Sequence, residues 1–213
     1  MSNTTEKNTT KTAAVQAGAQ TTGKARYLTV IALMAAISYI LAFLEVPMPL
    51  APSFARMDAS DVPAFLTTFA LGPVAGTVVE LIKNVLQALS TSTGGIGELA
   101  NFLMGASLVF TAGLIYKQKK TRKMAVVSCV AGSVAMGIMA AIMNYFVLLP
   151  MYQIFMPIDQ VIASFAEVIP FIHTKLDVVL YSALPGNILK GLIVSVITML
   201  VYKRVSPAMK GMR

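Results

Sequence analysis

The sequence predicts an all-α integral membrane protein with six membrane helices and both termini on the cytoplasmic side. Hydrophobic residues fill 56% of its 213 positions and charged residues only 12%, against roughly 45–50% and 25% in soluble domains. So little charge cannot cover a soluble surface of this size. Apolar runs of 18 residues or more recur along the chain, enough to cross a hydrocarbon core of about 30 Å. The 17 Lys and Arg residues, against 9 Asp and Glu, give a net charge of +8. They gather beside those runs, as cytoplasmic loops do under the positive-inside rule. One cluster is Lys7, Lys11, Lys24 and Arg26, a second is Lys117, Lys119, Lys120, Arg122 and Lys123, and a third is Lys203, Arg204, Lys210 and Arg213. No basic groove with interleaved aromatics is present, so the charge orients the protein and does not read nucleic acid.

Residues 1–23 are polar and carry Val15 as their one bulky apolar residue after Met1, which predicts a disordered cytosolic tail. The membrane domain is expected over residues 24–205, with 206–213 as a short basic tail. The first span is the uncharged run Tyr27–Leu44. A cleaved signal peptide ending near Ser53-Phe54-Ala55 is the alternative, but the run is long for one and further spans follow. Leu99–Tyr116, Met124–Leu149 (ended by Pro150) and Val178–Tyr202 are three more spans. Tyr27, Tyr116 and Tyr202 fall at their cytoplasmic ends, as interfacial aromatics should.

Val62–Ser90 is harder, because Gly72-Pro73, Glu80 and Lys83 interrupt it. One crossing here would put Lys117–Lys123 on the outer face. Two crossings bring all three basic clusters to the cytoplasm, so Gly72-Pro73 is read as a cytoplasmic hairpin. The helix before it, starting at Asp58 or Asp61, is then short and must be tilted or shielded. The outer loops would carry Arg56 and Lys175 against Glu45, Asp58, Asp61, Glu98, Asp159, Glu167 and Asp177.

Catalytic motifs are missing. A single His173 and a single Cys129 cannot build a multi-histidine metal site, and no HExxH, GxSxG or Walker A pattern occurs. His173 reads as a solvated or capping residue and Cys129 as packing; no cofactor is expected. The informative residues are polar groups inside the spans, each costly in lipid. Asn187 and Lys190 lie one turn apart on the outer half of the last helix, behind Pro185 and Gly186, and Asn144 lies near the outer end of its own. Together they suit a polar ligand site, with helix–helix hydrogen bonding as the alternative. Glu80 and Lys83 can pair as packing, with Asn84 beside them. Pro47, Pro49 and Pro52 stiffen a first loop carrying apolar Met48, Leu50 and Phe54, and Gly94, Gly95 and Gly97 permit close backbone approach or a turn. Such loops over polar groups suit a flat, amphipathic small molecule. Ala32 and Ala36 form a small-xxx-small pair that lets another helix approach closely.

These features resemble the S components, the substrate-binding subunits, of energy-coupling factor (ECF) vitamin transporters, and among them the riboflavin-specific branch. The resemblance covers most of residues 25–203. It rests on Ala32-x-x-x-Ala36, Asp58-x-x-Asp61-Val-Pro, Leu71-Gly72-Pro73-Val74-Ala75-Gly76 and Glu80-Leu-Ile-Lys83-Asn84. It continues through Gly97-Glu98-Leu-Ala-Asn101-Phe102, Asn144-Tyr145 and Pro185-Gly-Asn187-Ile-Leu-Lys190-Gly191. The resemblance implies a multi-pass protein of a bacterial cell membrane that binds riboflavin between the first external loop and the last three spans. It implies that Asn144, Asn187 and Lys190 hydrogen-bond the flavin. Leu50, Ala51, Pro52 and Phe54, with Gly95, Gly97 and Asn101, would supply apolar and backbone contacts. It further implies that Ala32 and Ala36 dock on a transmembrane T component, whose two ABC ATPases hydrolyse ATP, and that the S component topples in the membrane to deliver the vitamin. Another vitamin, such as thiamin or biotin, is a related alternative, and a non-transport membrane scaffold is one of a different class.

Overall fold

A computed structural model describes residues 24–91, 94–155 and 157–210. The expected tail 1–23 lies outside them, as do residues 211–213. Helix α1 (Lys24–Leu41) is followed by a small antiparallel hairpin of β1 (Val46–Pro47) and β2 (Arg56–Met57), with Val46 opposite Met57. Then come α2 (Asp61–Leu71), α3 (Pro73–Ala88), α4 (Ile96–Gln118) and α5 (Arg122–Met143). Beyond α5 come α6 (Leu149–Phe155), α7 (Ile158–Val168) and α8 (Lys175–Val178), and α9 (Leu184–Lys210) closes the chain.

Among the described residues, four helical stretches are long and apolar enough to cross a membrane: Lys24–Leu41, Ile96–Gln118, Arg122–Ile154 and Lys175–Val205. Helix α2 has only 11 residues, which rise about 16 Å at 1.5 Å each. Ten of the 11 are buried, so neighbouring helices shield it from lipid. Gly72 alone links it to α3, at φ 109°, a left-handed region that costs glycine little; Pro73 then opens α3 where its missing N–H is harmless.

One expected helix end is overrun. Pro150 does not stop its helix, because a π-helical segment, Asn144–Leu148, carries the chain past it into α6. A second π segment, Val179–Ala183, precedes Pro185 in the same way. Each ends two residues before its proline. Proline lacks an N–H and its ring crowds the carbonyl four residues back, so a widened turn removes the conflict without ending the helix. The stretch between the two π segments is itself largely helical, in α6, α7 and α8.

The main core gathers α1, α2, α3, α4, α5 and α9 around Phe65, Val79, Leu108, Ala112 and Met136. A second cluster of Leu149, Val161, Phe165, Ile172, Val178 and Val179, outer to the main core, caps the bundle at the end away from the α4–α5 turn. Cys129 is buried in the main core, and His173 is exposed, with its backbone N–H donating to Asp177 Oδ2 at 3.1 Å. Both match their expected structural roles.

Candidate functional site

The apolar hairpin after α1 folds onto the outer cluster. Met48 N–H donates to Ala55 O at 3.0 Å and Ala55 N–H to Pro52 O at 2.9 Å, so Leu50–Phe54 forms a tight tip. Ser182 Oγ, in the second π segment, donates to Leu50 O at 2.5 Å. An added Cβ on Gly186 would stand 3.0 Å from Met48 Cε and 3.3 Å from Pro49 O, so glycine lets the hairpin lie close against α9. Phe54 meets Tyr152 and Phe165 edge-on, with centroids 5.8 and 6.0 Å apart. Pro52 is buried and Ala51 packs on the outer cluster. Leu50 and Phe54 each keep 43% of their surface exposed, a large value for apolar side chains held this firmly.

Beneath the hairpin, Asn187 and Lys190 are 7% and 6% exposed. Asn187 Nδ2 donates to Ala183 O at 2.9 Å, and Asn144 Nδ2 to Ala140 O at 2.8 Å. Each amide is thus held by its own helix beside a π segment, while its Oδ1 accepts nothing from a described residue. Gly95 precedes α4 in a left-handed turn, φ 88°, and Gly97 lies in the first turn of α4.

Lys190 is not held by its helix. Its Nζ pairs with Asp61 Oδ2 at 3.0 Å. Asp61 Oδ1 is 2.7 Å from Lys83 Nζ, which also lies 2.7 Å from Glu80 Oε2 and donates to Ser60 Oγ at 2.9 Å. Lys83 thereby uses all three ammonium protons. Asn84 Nδ2 donates to Glu80 O at 2.8 Å, and Asn101 Nδ2 donates to Asn84 Oδ1 at 3.1 Å. Asp61, Glu80, Lys83 and Asn84 are buried and Lys190 nearly so, which joins α2, α3, α4 and α9 in one polar network. Helix α4 closes over it at Gly105, where a Cβ would come 2.6 Å from Glu80 Oε2. Two carboxylates balance two ammonium groups, and that neutrality makes the burial tolerable.

The expected Glu80–Lys83 pair is therefore present, and Lys190 and Asn101 belong to the same network. Asp61 is the residue the sequence reading missed. It was counted with the outer-loop acids, yet its side chain is fully buried. The signal lay in charge balance: Glu80, Lys83 and Lys190 inside spans leave one positive charge uncompensated, which calls for a second acid nearby. Ala32 and Ala36 are exposed on α1, on the side opposite Val30, Ile31, Met34 and Ala35.

The family model of the ECF transporter, substrate-specific component, matches residues 26–202. A riboflavin transporter, RibU, of Staphylococcus aureus is 38% identical over 184 residues, 86% of this chain and 92% of the relative. The riboflavin transporter FmnP of Bacillus subtilis is 31% identical over 193 residues, 89% of this chain and 97% of the relative. A solved S component of a bacterial ECF transporter superposes with a TM-score of 0.69 at 35% identity, covering 88% of this chain and 99% of its own. The chain belongs to the ECF transporter substrate-specific component family, whose members bind cargo for a transporter and are not enzymes. With its four long apolar helices it is a multi-pass bacterial membrane protein.

Proposed function

We propose that this substrate-specific component binds riboflavin beneath the Leu50–Phe54 hairpin and delivers it to an ECF transporter. The observation that carries the reading is the nearly buried Asn187–Lys190 pair under a half-exposed apolar hairpin. A flavin is a flat tricycle whose imide edge offers carbonyl acceptors and an N–H donor. An ammonium and two carboxamides match that edge, and Leu50, Phe54 and the glycine-rich start of α4 match the ring faces. The relatives named as riboflavin transporters support the choice among vitamins.

Binding requires Lys190 to share its ammonium protons between Asp61 and the vitamin. Asp61 keeps the charge compensated before the ligand arrives, so the buried lysine is ready in place. Asn144 and Asn187, back-bonded to their helices, present a carboxamide oxygen with little further entropy loss.

Six crossings with both termini cytoplasmic is the topology we infer, since it collects the three basic clusters on one side. The exposed Ala32/Ala36 face would dock on the T component, with two ABC ATPases supplying the energy. Quenching of flavin fluorescence by the purified protein, alongside thermal shifts with riboflavin, thiamin and biotin, tests the assignment. We expect stabilisation by riboflavin alone. Asn187→Ala with Lys190→Ala should weaken binding by about 2–4 kcal/mol, and unchanged affinity in that double variant removes the site.

A further inference from the structure

A cavity of about 680 Å³ opens at the basic end of the bundle and is lined by neither Asn144, Asn187 nor Lys190. Its inner wall is aromatic. The Phe69 ring meets Tyr116 edge-on at 4.8 Å and Tyr202 at 5.9 Å, and Tyr202 Oη donates to Phe69 O at 3.3 Å. Three cations line it as well: Lys120 from the α4–α5 turn, Arg122 from the start of α5 and Lys203 from α9. All three are exposed, no carboxylate lines the cavity, and none of the three is in an ion pair among the described residues.

The remaining wall is apolar and continues sideways. Val126 and Met199 line the cavity yet are 50% and 38% exposed, and they adjoin the uncovered apolar faces of α5 and α9 that bear Val130 and Val196. A soluble anion would use the cationic half and leave this exit empty. An amphiphile uses both, with its anionic head at the three cations and its chain leaving along the lipid-facing surface. The chain's own ends fit poorly, because residues 1–23 hold Glu6 against Lys7 and Lys11, and residues 206–213 add Lys210 and Arg213.

We propose that this cavity is a binding site for an anionic phospholipid, which takes the headgroup phosphate at Lys120, Arg122 and Lys203 and the upper acyl chain along Val126 and Met199. Basic recesses between membrane helices suit such headgroups, and each cation near the surface strengthens the attraction.

The test uses the purified full chain in a non-ionic detergent, titrated with dioleoyl phosphatidylglycerol, dioleoyl phosphatidylcholine or inorganic phosphate. Retained lipid is counted by native mass spectrometry. Phosphatidylglycerol should be retained well above phosphatidylcholine, and millimolar phosphate should not displace it. Lys120→Gln/Arg122→Gln/Lys203→Gln should reduce retention about tenfold or more. Lys119→Gln/Lys123→Gln/Arg204→Gln, which removes the same charge outside the cavity, should change it less than about twofold. Met199→Trp fills the apolar wall at unchanged charge and should also reduce retention, which keeps the proposal testable if the triple variant misfolds. Equal loss in both triple variants, equal retention of phosphatidylcholine, or displacement by phosphate overturns it. So does full retention by the cavity variants, even if they lose association with a protein partner.

Discussion

Helices α1 and α2 are joined by only the short β1–β2 hairpin, and they solve opposite problems. Helix α1 is 18 residues long and meets the membrane with its own side chains: only 28% of it is buried. Its inward stripe of Val30, Ile31, Met34, Ala35 and Ser38 packs on the core, and Ala32, Leu33, Ala36 and Ile37 face outward. Helix α2 is 11 residues long and is buried almost throughout. It carries Asp61, Thr67 and Thr68 without exposing them to hydrocarbon. One contact ties the two together: Ser38 Oγ donates to Ser60 O just ahead of α2. Solvation by neighbours, rather than length or hydrophobicity, is what lets a short polar-bearing helix sit inside a membrane bundle.

The comparison breaks most sharply at Asp61. Asp61→Leu leaves Lys83 sharing one carboxylate with Lys190 and strands net positive charge in the core. We expect a loss of about 3–5 kcal/mol, read as a lowered unfolding midpoint in detergent. Asp61→Leu combined with Lys190→Met restores neutrality and should recover part of that loss; no recovery would mean the two residues do not act as a pair.

The short helix is a crossing helix only if its connection to α3 faces the cytoplasm. Val74, exposed beside that connection, gives a labelling site. In a Cys129→Ala background, Val74→Cys should react with a membrane-impermeant maleimide only in inside-out vesicles, and should cost less than about 0.5 kcal/mol as a surface change. Labelling from the outer face would reduce the crossings to four.

The smallest effect on stability belongs to α1. Ala32→Leu or Ala36→Leu adds apolar volume to an exposed face and should shift the unfolding midpoint by no more than about 0.5 kcal/mol. Vitamin uptake by cells expressing the whole transporter should nevertheless be lost while vitamin binding persists. Normal uptake in both variants would move the docking face elsewhere.

Much of the outline was legible from local patterns. Apolar runs located the four long spans, Gly72-Pro73 marked the tight turn, and apolar residues among prolines marked a hairpin that covers the outer end. Pro150 misled in the ordinary way. Sequence supplies the missing N–H of a proline, whereas the π turn that absorbs it needs packing on both sides to be worth forming. The partner of Lys190 was equally hidden, because Asp61 lies 129 positions away, at the start of a different helix.

What the chain determined by itself was its solvent and its polarity. Composition forced it into a bilayer, and the placement of basic residues gave the bundle one strongly cationic end, because both are sums over residues that need no contacts. Tertiary structure decided which charges meet, since a salt bridge between Asp61 and Lys190 depends on α2 and α9 packing side by side. It likewise decided which polar groups stay out of lipid, because shielding is a property of neighbours and no single helix carries it.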